Sequence, residues 1–117
     1  MDDLPFKNES FDIINSVYLF HEVPSAIRSK ILTEISRVLK KNGVFICGMP
    51  SLESQKYASK ISKAGHVNCK KGIELKKTLD KYFNHTFVFS MNDEVVHTGF
   101  FPMAHYLIGI GCGVKVK

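Results

Sequence analysis

The stretch from Phe11 to Gly43, FDIINSVYLFHEVPSAIRSKILTEISRVLKKNG, followed directly by VFICG, constrains the fold more than any other part of the chain. Phe11 to Val17 places β-branched Ile13 and Ile14 side by side. Consecutive apolar residues suit a strand of a parallel sheet buried on both faces. Tyr18 to Pro24 reads as a loop or short turn. Ser25 is a plausible helix N-cap. Ile27, Ile31, Leu32, Ile35, Val38 and Leu39 then recur at helical spacing and form one apolar stripe. Arg28, Lys30, Glu34 and Arg37 fall mainly off it. Lys40 and Lys41 fit the last turn, where cations complement the helix dipole. Asn42-Gly43 supplies a left-handed stop. Val44 to Gly48 is a second buried strand. Strand, helix and strand of these lengths fit a right-handed parallel crossover.

Size limits what surrounds this unit. A chain of 117 residues has room for one domain, and residues 1–117 are expected to form one. With 44% hydrophobic and 23% charged residues it reads as an ordinary globular protein. No run approaches the roughly 18 apolar residues of a membrane span. The opening MDDLPF is acidic and then apolar, unlike a secretory signal. Cys47, Cys69 and Cys112 suggest neither a disulfide framework nor a zinc site, so a reducing cytoplasm is the expected setting. His66, His85, His97 and His105 show no metal-ligand spacing. No metal site is expected.

The net charge of +5 is unevenly placed. Residues 1–43 carry six acids and six bases, and eight lysines lie between Lys56 and Lys81. A basic face can attract nucleic acid. No aromatics interleave with these lysines as a stacking platform requires, so the face reads as a solvated helix surface.

Beyond Pro50 the pattern is weaker. Leu52 to Ala64 can form a helix. Gly72 to Phe83 is a clearer one, with Leu75, Leu79, Tyr82 and Phe83 on one face. Asn84 to Met91 reads as a strand, Asn92-Asp93 as a turn, and Glu94 to Phe101 as a short strand or extension ended by Pro102. Met103 to Ile110 reads as a last strand with a loose glycine tail.

Four pieces of the first half carry a family resemblance: Leu4-Pro5-Phe6, then Asn8 to Asp12 (NESFD), Leu19 to Val23 (LFHEV) and Arg37 to Gly43 (RVLKKNG). In this order and spacing the chain resembles the class I S-adenosylmethionine-dependent methyltransferases of the small-molecule type 11 group. The resemblance covers about residues 3 to 48. It implies a Rossmann-like α/β fold, with a half-sheet made of strands 4, 5, 7 and 6 of the family order 3-2-1-4-5-7-6 and flanking helices. It implies S-adenosylmethionine as cofactor and a small-molecule methyl acceptor.

The departures carry as much information. The family's glycine-rich cofactor loop, and the acid that holds the ribose, would both lie upstream of Met1. Glu22 stands where many relatives have a second histidine, and Asn42 where they have glycine. Leu107 to Gly113, LIGIGCG, approaches the family's glycine motif, but Gly109 replaces the acid. The expectation is therefore a partial, truncated methyltransferase domain, incomplete or inactive as this chain alone. Its first strand would be a bare edge, open to a second copy or to the missing N-terminal half.

In open α/β sheets ligands sit beyond the carboxyl ends of the strands. Asn15 and Ser16 turn the first strand polar near that end. The resemblance makes Asn15, Ser16 and Val17 the wall beside the methionine part of the cofactor. His21 is the candidate general base, since imidazole titrates near neutrality; packing or capping is its structural alternative. Two other functions remain open. One is a non-enzymatic methyltransferase half that acts as a pairing or regulatory subunit. The other is weak nucleic-acid binding through the lysine-rich face.

Overall fold

The computed structural model describes residues 4–17, 25–50, 72–92, 95–98 and 106–115. In chain order the elements are β1 (Phe11–Val17), α1 (Ser25–Val38), β2 (Leu39–Pro50), α2 (Gly72–Asp80), β3 (Phe83–Asn92), β4 (Val95–His97) and β5 (Tyr106–Val114). The helix expected over Leu52 to Ala64 lies outside the described residues.

The strands form one sheet of order β1-β2-β5-β3-β4. β1 and β2 are parallel, as a strand–helix–strand unit requires. β5 inserts between β2 and β3 and runs antiparallel to both. The order β1-β2-β5-β3 is thus the 4-5-7-6 half-sheet expected of a Rossmann-like methyltransferase. β4 adds a short hairpin strand beyond it, pairing only with Ser90, Met91 and Asn92.

Alternation along β2 sends Phe45, Cys47 and Met49 to one face, where all three are buried. α1 meets them with Ile31, Leu32 and Ile35, and α2 with Leu75 and Leu79. Both described helices therefore pack on the same face. Ser36 is buried beside the α1 stripe because its hydroxyl donates to the Leu32 carbonyl at 2.9 Å, so no polar atom is stranded there. Two glycines of β5 make room in the core, Gly109 for α2 and Gly111 for the Phe83 ring of β3. A Cβ at Gly109 would lie 2.8 Å from Leu79 Cδ1, and one at Gly111 would overlap the Phe83 ring. The LIGIGCG run is thus core-packing strand, and the strand continues through its glycines to Val114.

Three local expectations change. β1 is not buried on both faces: Ile14 packs on the core, while Ile13 is 62% exposed on the other side. α1 stops at Val38, and Leu39 to Gly43 already belong to β2. Gly43 is not a left-handed stop, since Gly113 is the one described glycine with positive φ. What Gly43 provides is a close approach, because a Cβ there would lie 2.6 Å from Leu39 Cδ1 and 2.9 Å from the Asp12 carbonyl oxygen. The extra residues bulge out of the ladder: Phe11 pairs with Leu39, but Ile13 pairs with Val44.

Candidate functional site

The amino ends of β1 and β2 are held by one side chain. The Arg37 guanidinium, at the last turn of α1, donates to Glu34 from Nε (2.8 Å) and Nη2 (2.9 Å). It also donates to the Phe6 carbonyl (2.9 Å), the Asn8 side-chain oxygen (2.8 Å) and the Leu4 carbonyl (3.0 Å). Glu34 accepts in turn from the Leu4 N–H at 3.0 Å. Backbone bonds from Glu9 to the Arg37 carbonyl and from Ser10 to the Val38 carbonyl complete the clasp. Three sequence pieces (LPF, NES and RVL) are therefore one structural device. A cavity of about 350 Å³ beside it is lined by Asn8, Glu9, Ser36, Arg37, Leu39, Lys41, Val114 and Lys115. It lies at the amino ends of β1 and β2, opposite the end where α/β sheets bind ligands.

The candidate site lies at that other end. Asn15, Ser16 and Val17 close β1 and pair with Ile46, Cys47 and Gly48 of β2. Asn15 and Ser16 do not form a single wall. Successive residues of a strand point to opposite faces. Asn15 is exposed on the face away from the helices. Ser16 shares the face of its partner Cys47. Its hydroxyl oxygen is buried and has no hydrogen-bond partner among the described residues. A buried hydroxyl left unpaired carries a desolvation cost of about 1–3 kcal/mol, so a group that arrives and bonds to it is favoured there. For Val17 only the backbone is described. His21 lies outside the described residues.

The Cys47 thiol is chemically quiet. Burial raises it to about 12, against a smaller opposing effect from a backbone hydrogen bond at Gly109. A thiol held neutral in this way is neither nucleophile nor metal ligand at neutral pH. Among the described residues no cluster of His, Cys, Asp or Glu could hold a metal ion. No described helix is long and apolar enough to cross a membrane.

A charged cluster that periodicity does not reveal lies between α2 and β3. The Thr86 hydroxyl donates to Asp80, and Lys76 reaches Thr86 at 2.9 Å and Asp80 at 3.4 Å. The Thr86 hydrogen bond, then Lys76 and Lys115, hold the Asp80 carboxyl below its usual range. The i, i+4 spacing of Lys76 and Asp80 was the available signal for half of it.

Residues 1–47 match the family model for a methyltransferase domain. No curated protein matches the chain. Solved structures do. One is an S-adenosylmethionine-dependent methyltransferase from Thermotoga maritima, described as a possible histamine N-methyltransferase. It aligns with TM-score 0.76 and 24% identity over 95% of this chain and 59% of its own. A chain of the Haloferax volcanii complex containing the Trm112 methyltransferase activator aligns with TM-score 0.62 and 17% identity, covering 97% of this chain and 59% of that one. An S-adenosylmethionine-dependent methyltransferase from Methanosarcina mazei aligns with TM-score 0.60 and 16% identity over 97% and 65%. This chain thus has the Rossmann-like methyltransferase fold and spans about three fifths of the length of these proteins.

Proposed function

We propose, for a chain whose residues 1–47 match a methyltransferase domain, that it forms one wall of an S-adenosylmethionine site serving methyl transfer to a small molecule. The observation that carries this reading is the buried Ser16 hydroxyl at the carboxyl end of β1, which has no hydrogen-bond partner among the described residues. Strand ends of this kind bind ligands in α/β sheets, and the hydroxyl offers both a donor and an acceptor. The cofactor, when bound, supplies an electrophilic methyl group. Ser16 and the Asn15–Val17 backbone would hold its methionine end. His21, four residues after Val17 in the sequence, is the expected base that takes a proton from the acceptor. Most of the rate would come from holding the two reactants in line.

We also propose that the site is completed by a second polypeptide wall. β1 ends the sheet among the described residues, and its outer edge presents unpaired peptide groups. That wall would be a polypeptide carrying the complementary N-terminal half of such a sheet, or a second copy, docked along β1. The cytoplasm is the expected compartment.

Isothermal titration tests both statements. The chain alone should show no micromolar binding of S-adenosylmethionine; such binding would overturn the need for a second wall. Fusing the part of the Thermotoga methyltransferase that this chain does not match to its amino end should restore binding. Ser16→Ala should then weaken it about tenfold, the loss of about 1.4 kcal/mol. A chimera that melts cooperatively yet binds no cofactor refutes the reading.

A further inference from the structure

The outer edge of the sheet carries a second feature that methyl transfer does not use. β4 pairs with β3 only at Ser90, Met91 and Asn92, so from Phe83 to Phe89 β3 has a ladder partner, β5, on one side alone among the described residues. A groove of about 540 Å³ runs along this open edge, between α2 and β3. Ile73 of α2 and Phe87 of β3 line it and are 64% and 51% exposed, with Val88 and Phe89 beside them; Phe87, paired with Ile110, lies on the face of the sheet away from α2. Apolar side chains this exposed, next to unpaired strand edge, resemble the surfaces on which extended peptides dock as an added strand. Backbone hydrogen bonds supply affinity there, and alternate side chains supply specificity.

The charge around the groove selects the occupant. Asp80 is the one acid in its lining among the described residues, and Thr86 and Lys76 already engage it. Lys77, on the same helix, carries no ion pair among the described residues, and exposed Lys81 follows α2 directly. The chain as a whole carries a net charge of +5. We propose that the groove between α2 and the open edge of β3 is a strand-addition site for an extended acidic segment of a partner protein. Apolar residues of that segment would cover Ile73 on one side and Phe87 on the other. Its alternate carboxylates would meet Lys77. The inference rests on the edge and the groove, and stands independently of cofactor binding.

Fluorescence anisotropy with a labelled heptapeptide of alternating valine and glutamate tests it on the 117-residue chain. Saturable binding at micromolar concentration is expected. Lys77→Glu, an exposed change, should weaken it about tenfold, as should a peptide with proline at its central position, which cannot donate to the edge. A valine–lysine peptide should not bind. Circular dichroism confirms that the variant is folded. Equal binding of the proline peptide reduces the interaction to charge attraction and overturns the proposal. So does an unchanged affinity in Lys77→Glu. Concentration-dependent dimerisation that the acidic peptide fails to compete away assigns the edge to a second copy and likewise overturns it.

Discussion

Replacing Arg37 by alanine removes the clasp at the amino ends of β1 and β2, and its cost can be worked from the geometry. The guanidinium makes five hydrogen bonds, two to Glu34 and three to residues 4–8. A hydrogen bond to a charged group contributes about 1.5–3 kcal/mol net, which would sum to far more than a single side chain delivers. Two discounts apply. The side chain of Arg37 is 27% exposed, so water replaces part of what is lost. Bonds that share one guanidinium are not additive. Glu34, whose side chain is only 14% exposed, loses its two hydrogen bonds from Arg37, which works in the opposite direction. About 3 kcal/mol is the resulting expectation, a large share of the roughly 5–15 kcal/mol of a typical domain. Urea unfolding followed by circular dichroism should show the midpoint falling by about 1.5 M, taking a slope of about 2 kcal/mol per M. Arg37→Lys keeps the charge but loses the planar fork, and should recover less than half of the loss. A loss below about 0.5 kcal/mol in Arg37→Ala, or full recovery in Arg37→Lys, refutes the argument.

Other perturbations follow from single contacts. Gly111→Ala places a methyl group against the Phe83 ring, which is buried and stacked on Phe45 at 5.8 Å, so it has little room to withdraw. A cost of about 1–3 kcal/mol is expected in thermal unfolding, and an unchanged melting temperature would show that the core yields there. Ser16→Ala removes a buried hydroxyl that lacks a described partner, so the stability of the chain should rise by about 1 kcal/mol even though cofactor binding in the chimera falls. The Cys47 thiol is raised to about 12 from 9.0, so the folded chain holds its proton more tightly than the unfolded chain does. Its contribution is fully present below pH 9.0 and is lost as pH rises toward about 12, on the order of 4 kcal/mol in all. The alkaline loss of stability should therefore be shallower in Cys47→Ala, and an identical slope would exclude the thiol as its source.

Local pattern was enough to read the central unit. Ile31, Leu32 and Ile35 recur at helical spacing, and the helical layer covers them. The Phe11–Val17 strand has the bounds its apolar run suggested. Single residues were harder where the answer depends on which face is covered. Ile13 and Ile14 are chemically identical neighbours, yet only Ile14 packs on the core, because both described helices lie on the same side of the sheet. Gly43 after Asn42 looked like a turn signal. Its reason is instead the approach of Leu39 and the Asp12 carbonyl, contacts that exist only once β1 and β2 are paired.

The candidate site divides in the same way. That Asn15 and Ser16 lie near the carboxyl end of the first strand was legible in the sequence. That they face opposite sides, and that the Ser16 hydroxyl is shut in without a described partner, follows from the register of Ser16 against Cys47. Arg37 was visible as part of a motif, but three of its five bonds go to acceptors in residues 4–8 whose relevance no periodicity signals, and the other two to a carboxylate whose orientation the clasp sets. What the sequence by itself determined is therefore short-range: a strand, an amphipathic helix, a second strand, and the polar end of the first. Hydrophobic periodicity and turn chemistry act over a few residues and leave their mark in the chain. The insertion of β5 between β2 and β3 was implied by the family resemblance, whereas the tertiary structure alone decided the covered face, the Arg37 clasp and the edge of β3 left open among the described residues. Each depends on contacts between groups far apart in sequence, formed only when the sheet closes around its core.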